Sequence, residues 1–324
     1  MESKSNIMIV LLVIGAIIGV VAIYNSTIVR KKDQLFTIGI LQTASHPALD
    51  AAREGFVATI KDAVGDKIAF VVRNGQGSIS NIHTIAQQFH AKQDIDAIFA
   101  IATPAAQAAV AVEKEKPIII AAVSVSPQLG GIFSAPNICG TSDMINVRKE
   151  VEAMKVLLPA NIKKVGIIFC TAEVNSVAMS EVMVKELEYV GYEPLLVGVT
   201  SDADIESAML NAVRKADAFL APTDNVVASA ISLIVDITQK AHKPLILSDN
   251  MLVQHGALMA RGVDYYESGK QAGMIALRVL MQHIKPRDLP IVSADNKEIF
   301  VNKQVLEQLG IIIADAIKRD VVLV

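Results

Sequence analysis

KADAFLAPTDN, residues 215–225, runs apolar from Ala218 to Ala221 and then stops on Thr223, Asp224 and Asn225. A loose copy, DIDAIFAIATPAAQ, occupies residues 94–107. A short run that is apolar at every position reads as a strand covered on both faces, the habit of parallel sheets sandwiched between helices. The polar residues that end it sit where a strand hands over to a helix. Working outward, LFTIGIL (35–41), IAFVVRN (68–74), AIFAIA (97–102) and PIIIAAVS (117–124) have strand length, and the stretches between them have helical spacing, as in Leu49, Ala52, Phe56, Ile60 and Val64. The series begins again with VGIIFC (165–170), PLLVGVT (194–200), AFLAPT (218–223) and PLILSD (244–249). Aligned, Ile38-Gly39-Ile40 falls on Val165-Gly166-Ile167, Asp96-Ala97 on Asp217-Ala218, and Lys116-Pro117 on Lys243-Pro244. The expected fold class is α/β, with two doubly wound parallel-sheet lobes.

Composition bounds what such a chain does. It has 324 residues, 52% hydrophobic, with 30 basic against 33 acidic residues and a net charge of −3. No basic run is long enough to follow a phosphate backbone, so nucleic acid is not an expected partner. Cys139 and Cys170 are too few and too far apart for a disulfide framework or a clustered metal site, and they read as buried thiols. The six histidines are scattered, and there is no phosphate loop, no His-Glu-x-x-His and no Gly-x-Ser-x-Gly. No catalytic residue, metal or cofactor is assigned, and the chain reads as a non-enzyme. With no Trp, 9 Phe and 5 Tyr, a sugar site built on stacked rings is disfavoured.

Residues 7–24, IMIVLLVIGAIIGVVAIY, carry no charge and are long enough to cross the hydrocarbon core as one transmembrane helix. Residues 1–32 are therefore read as an N-terminal membrane anchor or signal segment, with an uncleaved anchor preferred because no cleavage site follows the apolar run. Arg30, Lys31 and Lys32 after the helix favour a cytoplasmic domain, but long domains translocate largely regardless of such charges.

In open α/β sheets, ligands bind beyond the carboxyl ends of the strands. Those ends carry Thr43 and His46, Gln76, Thr103 and Ser124 in the first series, and Asn175, Ser176, Thr223, Asp224 and Asp249 in the second. Each of these residue types also caps helices without any ligand. Their distribution over two facing lobes is what points to a cleft, where helix-start N–H groups hold a carboxylate and a carboxylate such as Asp224 holds an amine.

The stretches IGILQTASHPALDAAREGF (38–56), IAQQF (85–89), AIATPAAQAA (100–109), EVNSVA (173–178), APTDNVVASA (221–230), LILSDN (245–250) and GALMARGVDYYESGKQAG (256–273) resemble the ABC-transporter substrate-binding protein family with the type I periplasmic-binding fold, in the branch associated with aromatic amino acid uptake. The resemblance covers roughly residues 35–313. It implies two lobes joined by hinge crossings near residues 140–147 and 250–256, closing over a small molecule. Lobe 1 is expected to hold residues 33–143 and 254–290, lobe 2 residues 144–253 and 291–315, and residues 316–324 a C-terminal tail. The helix at 266–282 would return to lobe 1.

The function implied is an extracytoplasmic importer component that captures an amino acid, with an ABC permease and its ATPase as partners and the membrane held through residues 7–24. A membrane-anchored sensor reporting occupancy to another membrane protein is the alternative. If the ligand is an amino acid, Asp224 or Asp249 would pair with its amine, while Thr103 and Ser176 would help hold its carboxylate. Two departures from the family stand out. Many members are secreted or lipidated, and the family's usual aspartate after the fourth-strand Ala-Val is replaced here by Ser124-Val125-Ser126.

Overall fold

The computed structural model describes residues 36–125, 133–293, 298–315 and 317–324. The apolar span expected at 7–24 and Ser126 lie outside them; among the described residues, no helix is long and apolar enough to cross a membrane.

The first sheet is built from β1 (Phe36–Gln42), β2 (Ile68–Asn74), β3 (Ala97–Ile101), β4 (Ile118–Val123), β5 (Ile138–Ser142) and a late strand, β11 (Ile291–Ser293). Their spatial order is β2-β1-β3-β4-β5-β11, all parallel. The second sheet repeats the pattern with β6 (Lys164–Cys170), β7 (Glu193–Val199), β8 (Ala218–Ala221), β9 (Leu245–Asp249) and β10 (Met259–Val263) in the order β7-β6-β8-β9-β10. It is then extended by antiparallel β12 (Ile299–Val301) and, parallel to that, β13 (Val321–Leu323). Both first-strand glycines face a phenylalanine, though from non-equivalent places, Phe89 in the helix Ile79–Ala91 and Phe219 in β8. A Cβ on Gly39 would come within 2.8 Å of the Phe89 ring, and one on Gly166 within 2.6 Å of the Phe219 ring. In each lobe a first-strand glycine makes room for a phenylalanine.

Helices cover both faces of each sheet. α1 (Pro47–Val64), α2 (Ile79–Ala91), α3 (Thr103–Val112) and α9 (Tyr265–Gln282) serve the first. α4 (Val147–Leu157), α5 (Val174–Tyr189), α6 (Ile205–Ala212), α7 (Asn225–Ser229), α8 (Ile231–Lys240) and α10 (Lys303–Gln308) serve the second. α9 packs along α1, as the expected return of the 266–282 helix requires, and the approach is close enough that a Cβ on Gly269 would lie 2.0 Å from the Ala52 carbonyl oxygen.

Strand pairing departs from the expected lobe boundaries at three places. Residues 259–263, expected in lobe 1, form β10 and pair with β9, because the 3-10 turn at Asn250–His255 folds the chain back beside β9 and the apolar run from Ala257 continues the second sheet. Residues 291–293, expected in lobe 2, pair with β5 in the first sheet. The 316–324 segment, expected as a tail, contributes β13. The second crossing therefore follows β10 rather than occurring near residues 250–256, and a third crossing lies between β11 and β12.

Candidate functional site

Both sheets have the strand order 2-1-3-4-5, so each has a switch point beside its first strand, and the carboxyl ends at these points face each other across one cavity. The cavity is narrow and partly open to solvent, with about 30 Å³ free for water-sized molecules. His46 enters from the turn after β1, Ala122 from β4, Asp143 from the segment after β5, and Asn175 from the start of α5. Thr223, Asp224 and Asn225 come from the β8–α7 turn, Ser248 and Asp249 from β9, and Tyr265 from the start of α9. Leu49, Val227, Leu247 and Leu252 supply apolar wall.

The lobes touch directly around this space. His46 Nε2 lies 3.3 Å from Asn225 Oδ1, and Ser124 Oγ lies 3.3 Å from Thr223 Oγ1. The two crossing segments are joined where Tyr265 Oη donates to Asp143 Oδ2 at 3.3 Å. Ser124 Oγ donates to the other Asp143 oxygen at 2.8 Å.

Among the described residues, no Lys or Arg lines the cavity, but three aspartates do. Burial pushes Asp143 up to about 6, against the pull of its bonds from Ser124 and Tyr265. Burial, with the neighbouring charge of Asp143 added, pushes Asp249 up to about 7. Asp224 is also raised by burial, although it is heavily bonded: Oδ1 accepts from Val227 N at 2.9 Å, and Oδ2 accepts from Cys170 N at 2.5 Å and from Ser176 Oγ. Glu173, behind the cavity, is raised to about 8 by burial and by the charge of Asp224. A buried carboxylate pair with no cationic side chain beside it costs several kcal/mol by rough reckoning unless protons or a cation compensate. The chemistry of the lining therefore suits a group that is positive and rich in donors.

Of the ten residues expected at the site, His46, Asn175, Thr223, Asp224 and Asp249 line the cavity. Ser124 stands just behind it, bridging Asp143 and Thr223. Gln76, with φ of 53°, lines a wider opening of about 450 Å³ at the interlobe mouth, together with Asn74, Glu173, Ser201 and Asn225. The other three do not reach the cavity. Thr43 Oγ1 donates to the Ile101 carbonyl and accepts from Ala105 N, tying β1 to α3. Thr103 is the first residue of α3 rather than its cap, and its Oγ1 accepts from Ser124 N. Ser176 is occupied by Asp224. These hydroxyls are bonded within their own lobes, and neither Thr103 nor Ser176, expected to hold a ligand carboxylate, lines the cavity. Both cysteines are buried free thiols, pushed up by burial to about 12 for Cys139 and about 11 for Cys170.

Sequence reasoning missed Asp143, Asn225 and Tyr265. Asn225 reads in the sequence only as part of a strand end. Asp143 lies on a segment expected as a hinge, and the signal that was available was its place immediately after a polar β5 ending, Gly-Thr-Ser.

The chain matches the model of the ABC transporter substrate binding protein family over residues 37–322. It is 33% identical over 290 residues to the tyrosine-binding protein of Clostridioides difficile, an alignment covering 87% of this chain and 83% of that one. Its structure is similar to that of an ABC domain from Streptococcus pneumoniae in complex with L-Trp, with a TM-score of 0.83 at 28% identity, over 89% of this chain and 99% of that one. It also resembles the ligand-free, open structure of a substrate binding protein with adhesive properties from Clostridium difficile, with a TM-score of 0.65 at 31% identity and the same coverage, 89% and 99%. With its repeated parallel lobes meeting at a carboxylate-lined cleft, this chain belongs to the ABC transporter substrate-binding protein family.

Proposed function

We propose that this chain is the extracytoplasmic binding component of an ABC importer, held to the membrane through residues 7–24, that captures an amino acid with an aromatic side chain in the interlobe cleft and presents it to a permease and its ATPase. The observation that carries the reading is the charge of the cavity: Asp143 and Asp249 close enough to feel each other, no cationic side chain in the wall among the described residues, and apolar surface from Leu49, Leu247 and Leu252 around them. An α-ammonium fills the electrostatic need and a ring fills the apolar one.

Closure follows from the same groups. When the lobes part, Asp143 and Asp249 are hydrated and ionise at little cost; when the lobes shut on an empty cleft, they must take up protons or repel. A ligand ammonium removes that penalty only in the shut form, so it binds that form more tightly and shifts the population toward it. The closer similarity to the L-Trp complex than to the open ligand-free structure, at comparable identity, supports taking this conformation as the shut one. Isothermal titration of the folded domain with each amino acid tests the reading. Saturable binding confined to one side-chain class is expected; a flat response across all of them would overturn it.

A further inference from the structure

Among the polar atoms around the cavity, two stand out for having no hydrogen-bond partner although they are buried: His46 Nδ1 and Asn175 Oδ1. Both residues line the cavity, with His46 only 7% and Asn175 only 4% exposed. Their neighbours dictate which hydrogen-bonding role each atom is left with. Glu173 Oε2 accepts from Asn225 Nδ2 at 2.8 Å and from Asn225 N at 3.3 Å, which turns Asn225 Oδ1 toward His46. His46 Nε2 faces that oxygen at 3.3 Å, so Nε2 carries the proton. Burial holds the imidazole below its ordinary pKa and so keeps it neutral, which leaves Nδ1 as a bare lone pair. Asn175 is fixed in the same way: its Nδ2 donates to the Thr223 carbonyl at 3.1 Å, so the unpaired atom is the carbonyl oxygen. Both orphans are acceptors, and a buried acceptor left unmade costs about 1–3 kcal/mol.

These acceptors stand apart from the aspartate pair along the sheets: His46 and Asn175 follow β1 and β6, whereas Asp143 follows β5 and Asp249 ends β9, three and two strands away in the same sheets. A ligand whose ammonium sits with Asp143 and Asp249 therefore leaves His46 and Asn175 to its other end. The two aromatic amino acids that name or occupy the relatives, tyrosine and tryptophan, each carry a ring donor, a phenol O–H or an indole N–H. Phenylalanine carries none.

Resting on the proposed amino acid capture, we propose that His46 Nδ1 and Asn175 Oδ1 form an acceptor subsite that takes the ring donor of the ligand, so that the protein selects aromatic amino acids bearing a phenol O–H or indole N–H over phenylalanine. The Glu173–Asn225–His46 chain serves as the positioning element, setting the imidazole tautomer from the second lobe only when the lobes are shut. An analogue lacking the donor leaves buried acceptors unpaired, a situation that discriminates far more strongly than a missing methylene does.

Titration calorimetry of the full chain with tyrosine, tryptophan and phenylalanine, on the native protein and on His46→Phe, reads this directly. The native protein is expected to prefer the better donor ligand over phenylalanine by about 100-fold or more, and His46→Phe to reduce that preference to under about 5-fold by weakening the donor ligand alone. An equal loss for both ligands would place His46 on the shared ammonium or carboxylate and overturn the assignment, as would equal native affinities for tyrosine and phenylalanine. Should no aromatic amino acid bind, the functional reading falls and the subsite with it, an outcome distinct from equal binding. Nitrogen-15 NMR on the native protein removes any dependence on the variant's folding: saturated with phenylalanine, Nδ1 should show the shift of a bare ring nitrogen, and saturated with tyrosine that of a hydrogen-bonded one. Absence of that difference would overturn the proposal.

Discussion

At the scale of single residues, Asp249 and Asp224 make opposite predictions. Asp249 accepts only from backbone N–H groups at the start of the following turn, including Met251 N at 2.9 Å, and is raised to about 7. Unfolded, it would titrate near 3.9, so between about pH 4 and 7 the folded chain holds more protons than the unfolded one. Stability contributed by this group falls as pH rises through that window; the buried His46 acts in the other direction, so the comparison is made against a variant. Asp249→Asn should flatten the pH dependence of the empty protein and stabilise it at pH 8 by roughly 1–3 kcal/mol, while costing amino acid affinity about 100-fold. Thermal unfolding from pH 5 to 8 and calorimetry check the two halves. A variant that lost stability at pH 8 would contradict the account of Asp249 as an uncompensated charge.

Asp224, by contrast, caps α7 and holds Cys170 N and Ser176. Asp224→Ala should destabilise the empty protein by about 2 kcal/mol, seen as a lower denaturation midpoint. The residue was legible in the sequence as polar and at a strand end, but its role was not, because capping and ligand binding call on the same side-chain types. Asp143 was legible only as a polar residue following the Gly-Thr-Ser end of β5: it sits in irregular backbone between sheets, where no periodicity singles out a position.

At the scale of elements, the contact between α1 and α9 is the sharpest constraint. Cβ atoms built on Gly55 and Gly269 would lie 2.2 Å from the Tyr266 carbonyl oxygen and 2.0 Å from that of Ala52, distances no side chain can hold. Gly269→Ala must push the helices apart and should cost about 3 kcal/mol in urea unfolding. Gly191, in an open turn with nothing within 4 Å, bears only its positive φ, and Gly191→Ala should cost less, about 1 kcal/mol. The first four strands of each lobe could be read from the sequence because each is a continuous apolar run between helical spacings. The peripheral strands β11 and β13 are three residues long, with partly exposed side chains, and their pairing is decided by tertiary neighbours rather than by any pattern of their own.

At the scale of the whole molecule, the lobes meet through few direct bonds, among them His46 to Asn225 and Ser124 to Thr223, while the crossings keep them tethered. Solution X-ray scattering should therefore report a larger radius of gyration for the empty protein than for the protein saturated with tyrosine, and the Asp249→Asn variant should respond little at the same ligand concentration. Identical profiles with and without ligand would count against closure. Because the chain contains no Trp, added tryptophan would be the only indole in the sample, and its emission would report the cavity alone.

The threading of the chain also sets a schedule. As the protein is made, β1 to β5 emerge first, yet the helix that covers the face of α1 arrives only with residues 265–282, and the edge strand β11 later still, after five strands of the other sheet have been delivered. Until then Ala52 and Gly55, buried against that helix in the finished protein, lie open on a half-built lobe. The second sheet can assemble its five parallel strands from one unbroken stretch, so the lobe that begins first is the one obliged to wait. Its nascent surface is where a holding chaperone would find the longest-lived grip.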